Sequence, residues 1–309
     1  MENRRKIVNN LNDITEKYFF LKKIFLSGCE IFKNDTLSNY CSFGIGGPAD
    51  FIVKIHNEKS LITFLKYANS NFYVLGKGTN VLFSDEGYRG IIVLLTGEFK
   101  KIKILNDKIL CGSGALLSEV LNFSIKNNLQ GLEFCNGIPG TVGGAVYGNS
   151  GTRNIWLSSV IENIDIYKKN EKIHLNRKKI PFNYRYSGLN NCIISDVVFS
   201  LKKSNSNKNN KTLEVVNSTN YRLYSQPIFM PNAGSIFKNP NNMNVGKLIE
   251  SMNLKGKRIG GAQISELHGN FIVNTGKASS KDVMLLINLI KKKARKQFNI
   301  NLELEINIF

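Results

Sequence analysis

Six glycines crowd into Gly137–Gly151 (GIPGTVGGAVYGNSG) of this 309-residue chain. Each glycine costs about 0.5–1 kcal/mol in a helix or strand, so the spacing predicts neither. It predicts exposed backbone N–H groups with little side-chain cover, which suit an anionic or flat ligand. Two more glycine turns stand beside predicted strands: Gly76-Lys77-Gly78-Thr79-Asn80 and Gly112-Ser113-Gly114. Three such turns together point to a large ligand carrying a pyrophosphate. Neither ordinary phosphate fingerprint is present. Gly76–Thr79 lacks the Gly-Lys-Ser/Thr ending of a P-loop, and no GxGxxG opens a helix after a strand.

Three polar side chains could act on such a ligand. Arg185 lies in Tyr184-Arg185-Tyr186-Ser187, where its fork could grip a carboxylate or phosphate, or could simply pack on a surface aromatic. Ser235 lies in Ala233-Gly234-Ser235-Ile236-Phe237-Lys238-Asn239-Pro240. Small neighbours there give close access and Lys238 supplies charge, but a turn serine would look the same. Glu305 falls on the polar side of an alternating C-terminal stretch, where a solvated carboxylate is the plain alternative. None of the three identifies a reaction by itself. No Ser-His-Asp or Cys-His grouping favours hydrolysis. The five cysteines show no CxxC spacing and the three histidines are dispersed, so neither a disulfide framework nor a metal site is expected. A formal charge of +19 admits a nucleic-acid or membrane-surface partner. The lysines are scattered, however, and favour a solvated basic surface that attracts anionic small molecules. No apolar run approaches 18 residues and no leader pattern opens the chain, so a cytoplasmic protein without membrane insertion is expected.

The elements that must position these groups follow from periodicity. Ile7, Leu11, Ile14, Tyr18 and Leu21 predict an opening amphipathic helix. Strands are expected at Phe51–Ile55, Phe72–Leu75 and Gly90–Leu95, with a helix over Glu58–Asn69. A hairpin, Ile102–Leu105 with Lys108–Cys111, precedes a helix at Leu117–Asn127. Val160–Lys168, Ile173–Leu175 and Ile193–Leu201 are expected in a mixed sheet, before a polar loop at Lys203–Lys211. Helices follow at Val245–Ser251 and Lys281–Gln297. The second is capped by Ser279 or Ser280 and buries Val283, Leu286, Ile287, Ile290 and Ala294. Asn299–Phe309 alternates as a strand with Ile300, Leu302, Leu304, Ile306 and Ile308 on one face.

Taken in order, the motifs resemble the UDP-N-acetylenolpyruvylglucosamine reductase family. They are Gly46-Gly47-Pro48-Ala49-Asp50, Leu75–Asn80 with Ser84-Asp85-Glu86-Gly87, Gly131–Gly144, Tyr184–Ser187, Gln226-Pro227, Ala233–Pro240, Leu248-Ile249-Glu250, His268–Asn274 and Leu302–Glu305. The resemblance spans about residues 40–309. It implies an α+β architecture: a two-subdomain FAD-binding fold of the vanillyl-alcohol-oxidase/PCMH type plus a C-terminal α/β substrate-binding domain. The implied divisions are 1–97 and 98–220 for the FAD subdomains and 221–299 for the substrate domain, with 300–309 returning to the first. FAD, bound non-covalently, would contact Gly76, Lys77, Gly78, Thr79, Asn80, Val81, Ser113, Gly137, Pro139, Gly140, Thr141, Gly143 and Gly144. Tyr184, Arg185, Lys238, Asn239, Gln263, His268 and Asn270 would bind the UDP-sugar enolpyruvyl substrate.

The same resemblance assigns Arg185 and Glu305 to stabilising developing charge and Ser235 to donating a proton, with NADPH as reductant and no metal. Glu305 can serve only if protonated or acting through a hydrogen bond, so its pKa is expected to be raised by burial. A monomer of the shorter subtype, without a tyrosine-bearing lid loop, is expected. Lys77 and Thr79 stand where glycine and serine are common, and Cys41-Ser42 where a threonine usually stands nearby; these departures bear on flavin contacts. Two alternatives remain at this point: another FAD oxidoreductase of the same fold, and a non-catalytic basic nucleic-acid binder.

Overall fold

The computed structural model describes residues 18–68, 71–152, 155–203, 219–220, 222–240 and 243–309. The first sheet runs in the order Glu30–Lys33, Ala49–Ile55, Tyr88–Leu95, Phe72–Val74. Ala49–Ile55 and Tyr88–Leu95 pair in parallel. The central Ala49–Ile55 strand is mostly buried on both faces, as parallel strands covered on two sides are. Helix Glu58–Tyr67 starts where the Asn57 side chain accepts the Ser60 N–H at 2.9 Å. Its Leu61 and Phe64 enter the core with Val53 and Val93, and the Phe64 and Phe72 rings meet edge to face at 5.1 Å. Of the predicted opening helix, residues 18–26 are helical; Ile7, Leu11 and Ile14 lie outside the described residues.

The second sheet has five strands in the order Glu171–Asn176, Ile161–Lys168, Ile193–Ser200, Lys108–Gly112, Ile102–Leu105. Every pairing is antiparallel, which corrects the expected mixed sheet. The connections are hairpins and long returns rather than right-handed helical crossovers, so no parallel neighbour arises. Helix Leu117–Lys126 packs Val120 and Leu121 against Val197 and Phe199. A second correction falls in the glycine run. Val142–Tyr147 forms a six-residue helix in spite of Gly143 and Gly144. Thr141 caps it by accepting the Gly144 N–H at 3.3 Å, and buried Val142 and Val146 hold it to the core. Packing outweighs the propensity cost. Residues 204–211 of the polar loop lie outside the described residues.

The third sheet joins Asn232–Ser235, Phe271–Asn274, Ala262–Ile264 and Arg258–Ile259, all antiparallel. These strands of two to four residues are too short for periodicity to reveal. Helices Val245–Ser251 and Ser280–Phe298 complete this layer. Val283, Leu286, Ile287, Ile290 and Ala294 are all buried, and Ser279 and Asp282 close a capping box. At the C-terminal end only Asn307–Ile308 is strand, pairing in parallel with Val81–Leu82. The alternation holds at Leu302, Glu303 and Ile306. It fails at Ile308, which is exposed, and at Glu305, which turns inward. Among the described residues no helix is long and apolar enough to cross a membrane.

Candidate active site

All three layers contribute to one cleft of about 2740 Å³. A pocket for one small molecule is typically about 300–1,000 Å³, so this one has room for two ligands. Every residue predicted to touch the cofactor lines it: Gly76, Lys77, Gly78, Thr79, Asn80, Val81, Ser113, Gly137, Pro139, Gly140, Thr141, Gly143 and Gly144. The three glycine turns are knit to each other. The Thr79 hydroxyl donates to the Pro139 carbonyl at 3.3 Å, and the Gly143 N–H donates to the Ser113 carbonyl at 2.8 Å. Glycine is required at the contacts. A Cβ on Gly143 would sit 2.8 Å from that of Ser113, and one on Gly76 would sit 2.5 Å from Thr141 Oγ1. On Gly140, Gly144 and Gly234, which also line the cleft, a Cβ would meet only one atom within 4 Å. These three leave bare backbone facing the cleft.

Within the Gly76–Asn80 turn, Gly78 is the more constrained glycine. Its φ is +64°, and a Cβ would overlap the Tyr40 carbonyl oxygen. Gly78→Ala should cost about 1–3 kcal/mol of stability and release the cofactor, read as lower visible flavin absorbance per protein after desalting. Flavin content equal to wild type would refute the role given to this turn.

The charged groups line the same cleft as the glycines. The Glu305 backbone is tied on both sides: its N–H donates to the Ile236 carbonyl at 2.8 Å, and its carbonyl accepts from Asn80 Nδ2 at 3.0 Å. Its carboxylate contacts Arg185 Nε at 2.7 Å, with side chains only 15% and 24% exposed. Burial pushes the Glu305 carboxyl above the ordinary carboxylate range, and Arg185 and Lys238 draw it part of the way back. Arg185 sits at φ +53° in a turn closed by mutual backbone bonds between Asn183 and Tyr186. Ser235 ends its strand beside Gly234, φ +76°, whose N–H donates to Asn232 Oδ1 at 2.8 Å. Ser235, Lys238 and Asn239 line the cleft with Arg185 and Glu305. Tyr184 stands just behind, its hydroxyl accepting the Asn239 N–H at 3.1 Å.

Four predicted substrate contacts are not cleft residues: Tyr184, Gln263, His268 and Asn270. Gln263 Nε2 donates to the Gly256 carbonyl at 3.2 Å. His268 packs on Phe271, and its Nδ1 accepts the Asn270 N–H at 3.2 Å; burial lowers its pKa and keeps it neutral. Asn270 is buried and clamps Phe237, accepting its N–H at 3.0 Å and donating to its carbonyl at 2.8 Å. Its own carbonyl takes the Ile236 N–H at 2.9 Å, so it braces the segment carrying Ser235 from behind. Polar residues in a motif look like ligand contacts until backbone pairing shows whom they serve. Asn270→Ala strands two buried backbone groups, each worth about 1–3 kcal/mol. Denaturant unfolding should therefore show a loss of about 2–6 kcal/mol; a loss under about 1 would contradict the clamp.

Among the described residues, two buried side-chain polar atoms lack an aligned hydrogen bond: Ser113 Oγ and Arg185 Nε. Both belong to cleft-lining residues; Arg185 Nε has the Glu305 carboxylate at 2.7 Å, which leaves Ser113 Oγ as the atom a bound molecule could pair. Among the described residues, seven cations line the cleft (Lys54, Lys77, Lys100, Lys169, Arg185, Arg222, Lys238) against three carboxylates (Glu119, Glu133, Glu305). The site therefore fits a dinucleotide with a second anionic ligand. Trp156, which sequence reasoning passed over, stands against both Tyr184 and Arg185.

Two family models match the chain: an FAD binding domain over residues 49–174, and the C-terminal domain of UDP-N-acetylenolpyruvoylglucosamine reductase over 226–309. Fold and cleft together thus define an FAD-dependent oxidoreductase. Full-length relatives narrow the class. The UDP-N-acetylenolpyruvoylglucosamine reductase of Clostridium novyi (strain NT) is 38% identical, covering 90% of this chain and 92% of its own. That of Thermotoga sp. (strain RQ2) is 39% identical, covering 93% and 96%. The crystal structure of the Thermus caldophilus enzyme aligns with a TM-score of 0.79 at 32% identity, over 91% of this chain and 98% of that one. The chain belongs to the UDP-N-acetylenolpyruvoylglucosamine reductase family, an enzyme of peptidoglycan synthesis.

Proposed function

We propose that this enzyme reduces the enol ether of UDP-N-acetyl-3-O-(1-carboxyvinyl)glucosamine to the lactyl ether of UDP-N-acetylmuramate, with NADPH as reductant. The observation that carries the reading is the convergence of Arg185, Glu305 and Ser235 on a cleft lined by the glycine turns. Bound FAD would supply the hydride chemistry, accepting two electrons from NADPH and passing hydride to the terminal vinyl carbon. The protein's own groups do the rest. Arg185 and Lys238 bind the substrate carboxylate and stabilise charge that spreads onto it. Glu305 keeps the guanidinium oriented and, when protonated, hydrogen-bonds the developing enolate. Ser235 delivers a proton to the adjacent carbon, which balances the added hydride. A serine hydroxyl is a weak acid, so it serves only because the enolate carbon is strongly basic and the geometry is fixed.

The three sheets, each with apolar residues packed around it, support division at about residues 97 and 220 into two FAD subdomains and a substrate domain. The Cys41 thiol lines the cleft but donates to the Ile45 carbonyl at 3.3 Å, which supports non-covalent flavin. Five unpaired cysteines agree with a reducing cytoplasm.

The test is anaerobic. Holoenzyme reduced with NADPH should be reoxidised on adding the enolpyruvyl sugar nucleotide, with the lactyl ether as product. Flavin that stays reduced would sink the substrate assignment. A second reading, a different substrate on the same fold, would then be examined with other anionic enol ethers.

A further inference from the structure

Trp156 is the only tryptophan in the sequence. It lies in the two-residue strand Ile155–Trp156, directly opposite Gly151 in an antiparallel pair with Gly151–Thr152. A Cβ on Gly151 would overlap the Ile155 carbonyl oxygen and stand 2.7 Å from the indole Cε3. The last glycine of the run is thus the seat of the indole. The ring meets Tyr184 edge to face at 5.4 Å. The Arg185 guanidinium carbon lies 5.9 Å from the indole centroid and 5.7 Å from the Tyr184 centroid. Arginine has a long, flexible stem, and two aromatic faces restrict where its head can point. The backbone is pinned by the same segment. Asn149, 2% exposed and at the end of the glycine run, donates from Nδ2 to the Asn183 carbonyl at 2.9 Å and accepts the Ser158 N–H at 3.1 Å. Glycine run, Trp156 and the Arg185 turn are therefore one connected piece.

We propose that Trp156 is a positioning residue: with Tyr184 it holds the Arg185 guanidinium where it meets Glu305 and the substrate carboxylate, and Gly151 is there to admit it. The part played in turnover rests on the function proposed above. Trp156 acts through Arg185, and its removal should be felt where Arg185 is needed.

The experiment uses FAD-loaded wild type, Trp156→Ala, Trp156→Phe, Arg185→Ala and the Trp156→Ala/Arg185→Ala double variant. Trp156→Ala should slow reoxidation by the enolpyruvyl sugar nucleotide roughly tenfold, the scale of one lost cation–π contact in a partly dry site, while NADPH reduces the flavin at close to the wild-type rate. Trp156→Phe, which keeps an aromatic face, should recover most of the loss. In the Arg185→Ala background, Trp156→Ala should add nothing. Additive losses, equal slowing of both half-reactions, or a phenylalanine variant as poor as the alanine would overturn the proposal. Fluorescence gives a readout free of turnover: with one indole, Arg185→Ala should change its emission, and an unchanged spectrum counts against the contact. If wild type itself is not reoxidised by the sugar nucleotide, the substrate assignment fails, and the emission change still decides whether Trp156 and Arg185 are coupled.

Discussion

Ser235→Ala should slow reoxidation of the reduced enzyme by the enolpyruvyl sugar nucleotide by about 10²–10⁴-fold, the usual weight of a positioned proton donor. Flavin reduction by NADPH should stay within about twofold of wild type, because that half needs no proton from this hydroxyl. The expectation rests on placement. Ser235 is held between Gly234, whose amide is tied to Asn232, and Ile236, whose amide is tied to Asn270. The backbone that carries its hydroxyl is thus held without help from the Ser235 side chain, and alanine should leave the fold intact. Ser235→Cys, a stronger acid of similar shape, should recover part of the rate. Stopped-flow absorbance of the two halves separates these outcomes. Equal rates for Ser235→Ala and wild type in the second half would remove Ser235 from the mechanism.

Glu305→Ala is expected to be nearly as damaging, for a different reason. It removes the partner of a guanidinium that is 24% exposed, leaving a mostly buried charge uncompensated. For a fully buried pair the cost is about 3–5 kcal/mol; with this exposure about 2–3 kcal/mol is expected. Reoxidation should also fall by about 10²–10³-fold as Arg185 loses its orientation. Glu305→Gln separates shape from titration. Burial raises the Glu305 pKa above its ordinary 4.5, so the folded protein keeps this proton at pH values where the unfolded chain has released it. Stability from this group is therefore full below about pH 4.5 and is lost as pH rises through the folded value. The second half-reaction should weaken over the same rise if the protonated form bonds the enolate. Both slopes should flatten in Glu305→Gln, measured as denaturation midpoint and single-turnover rate against pH. Unchanged slopes would mean that another group titrates.

Much of the frame could be read from residue order. Helix Val245–Ser251 has the predicted bounds, and the five buried residues of Ser280–Phe298 are those the 3.6-residue period selects. Long amphipathic segments average local preferences over many residues, and burial then follows. The short Val142–Tyr147 helix could not be read that way. Its glycines argue against it locally, and only the fit of Gly143 against Ser113 and of Val142 and Val146 in the core makes it stable. At the site, the glycine turns were legible because glycine advertises backbone exposure. The ion pair of Arg185 with Glu305 was not, since no local pattern links residues so far apart in the chain. Trp156 was missed because a lone aromatic beside a loop belongs to no motif. The inward turn of Glu305 broke an alternation that Leu302, Glu303 and Ile306 obey, and its cause is tertiary: the Ile236 carbonyl and the Asn80 side chain hold its backbone.

The closing of the chain on Val81–Leu82 bears on how the protein comes into being. Asn307 donates its backbone N–H to the Asn80 carbonyl at 3.0 Å, and the Ser84 N–H donates to the Phe309 carbonyl at 2.7 Å. These contacts span more than 220 residues, and the loop-closure entropy they require delays them relative to local hairpins and helices. On the ribosome the Gly76–Asn80 turn is made early, yet its neighbour Asn307 is synthesised more than 220 residues later. A cradle that needs both segments therefore closes only once Asn307 has been made, and cofactor capture should follow that step.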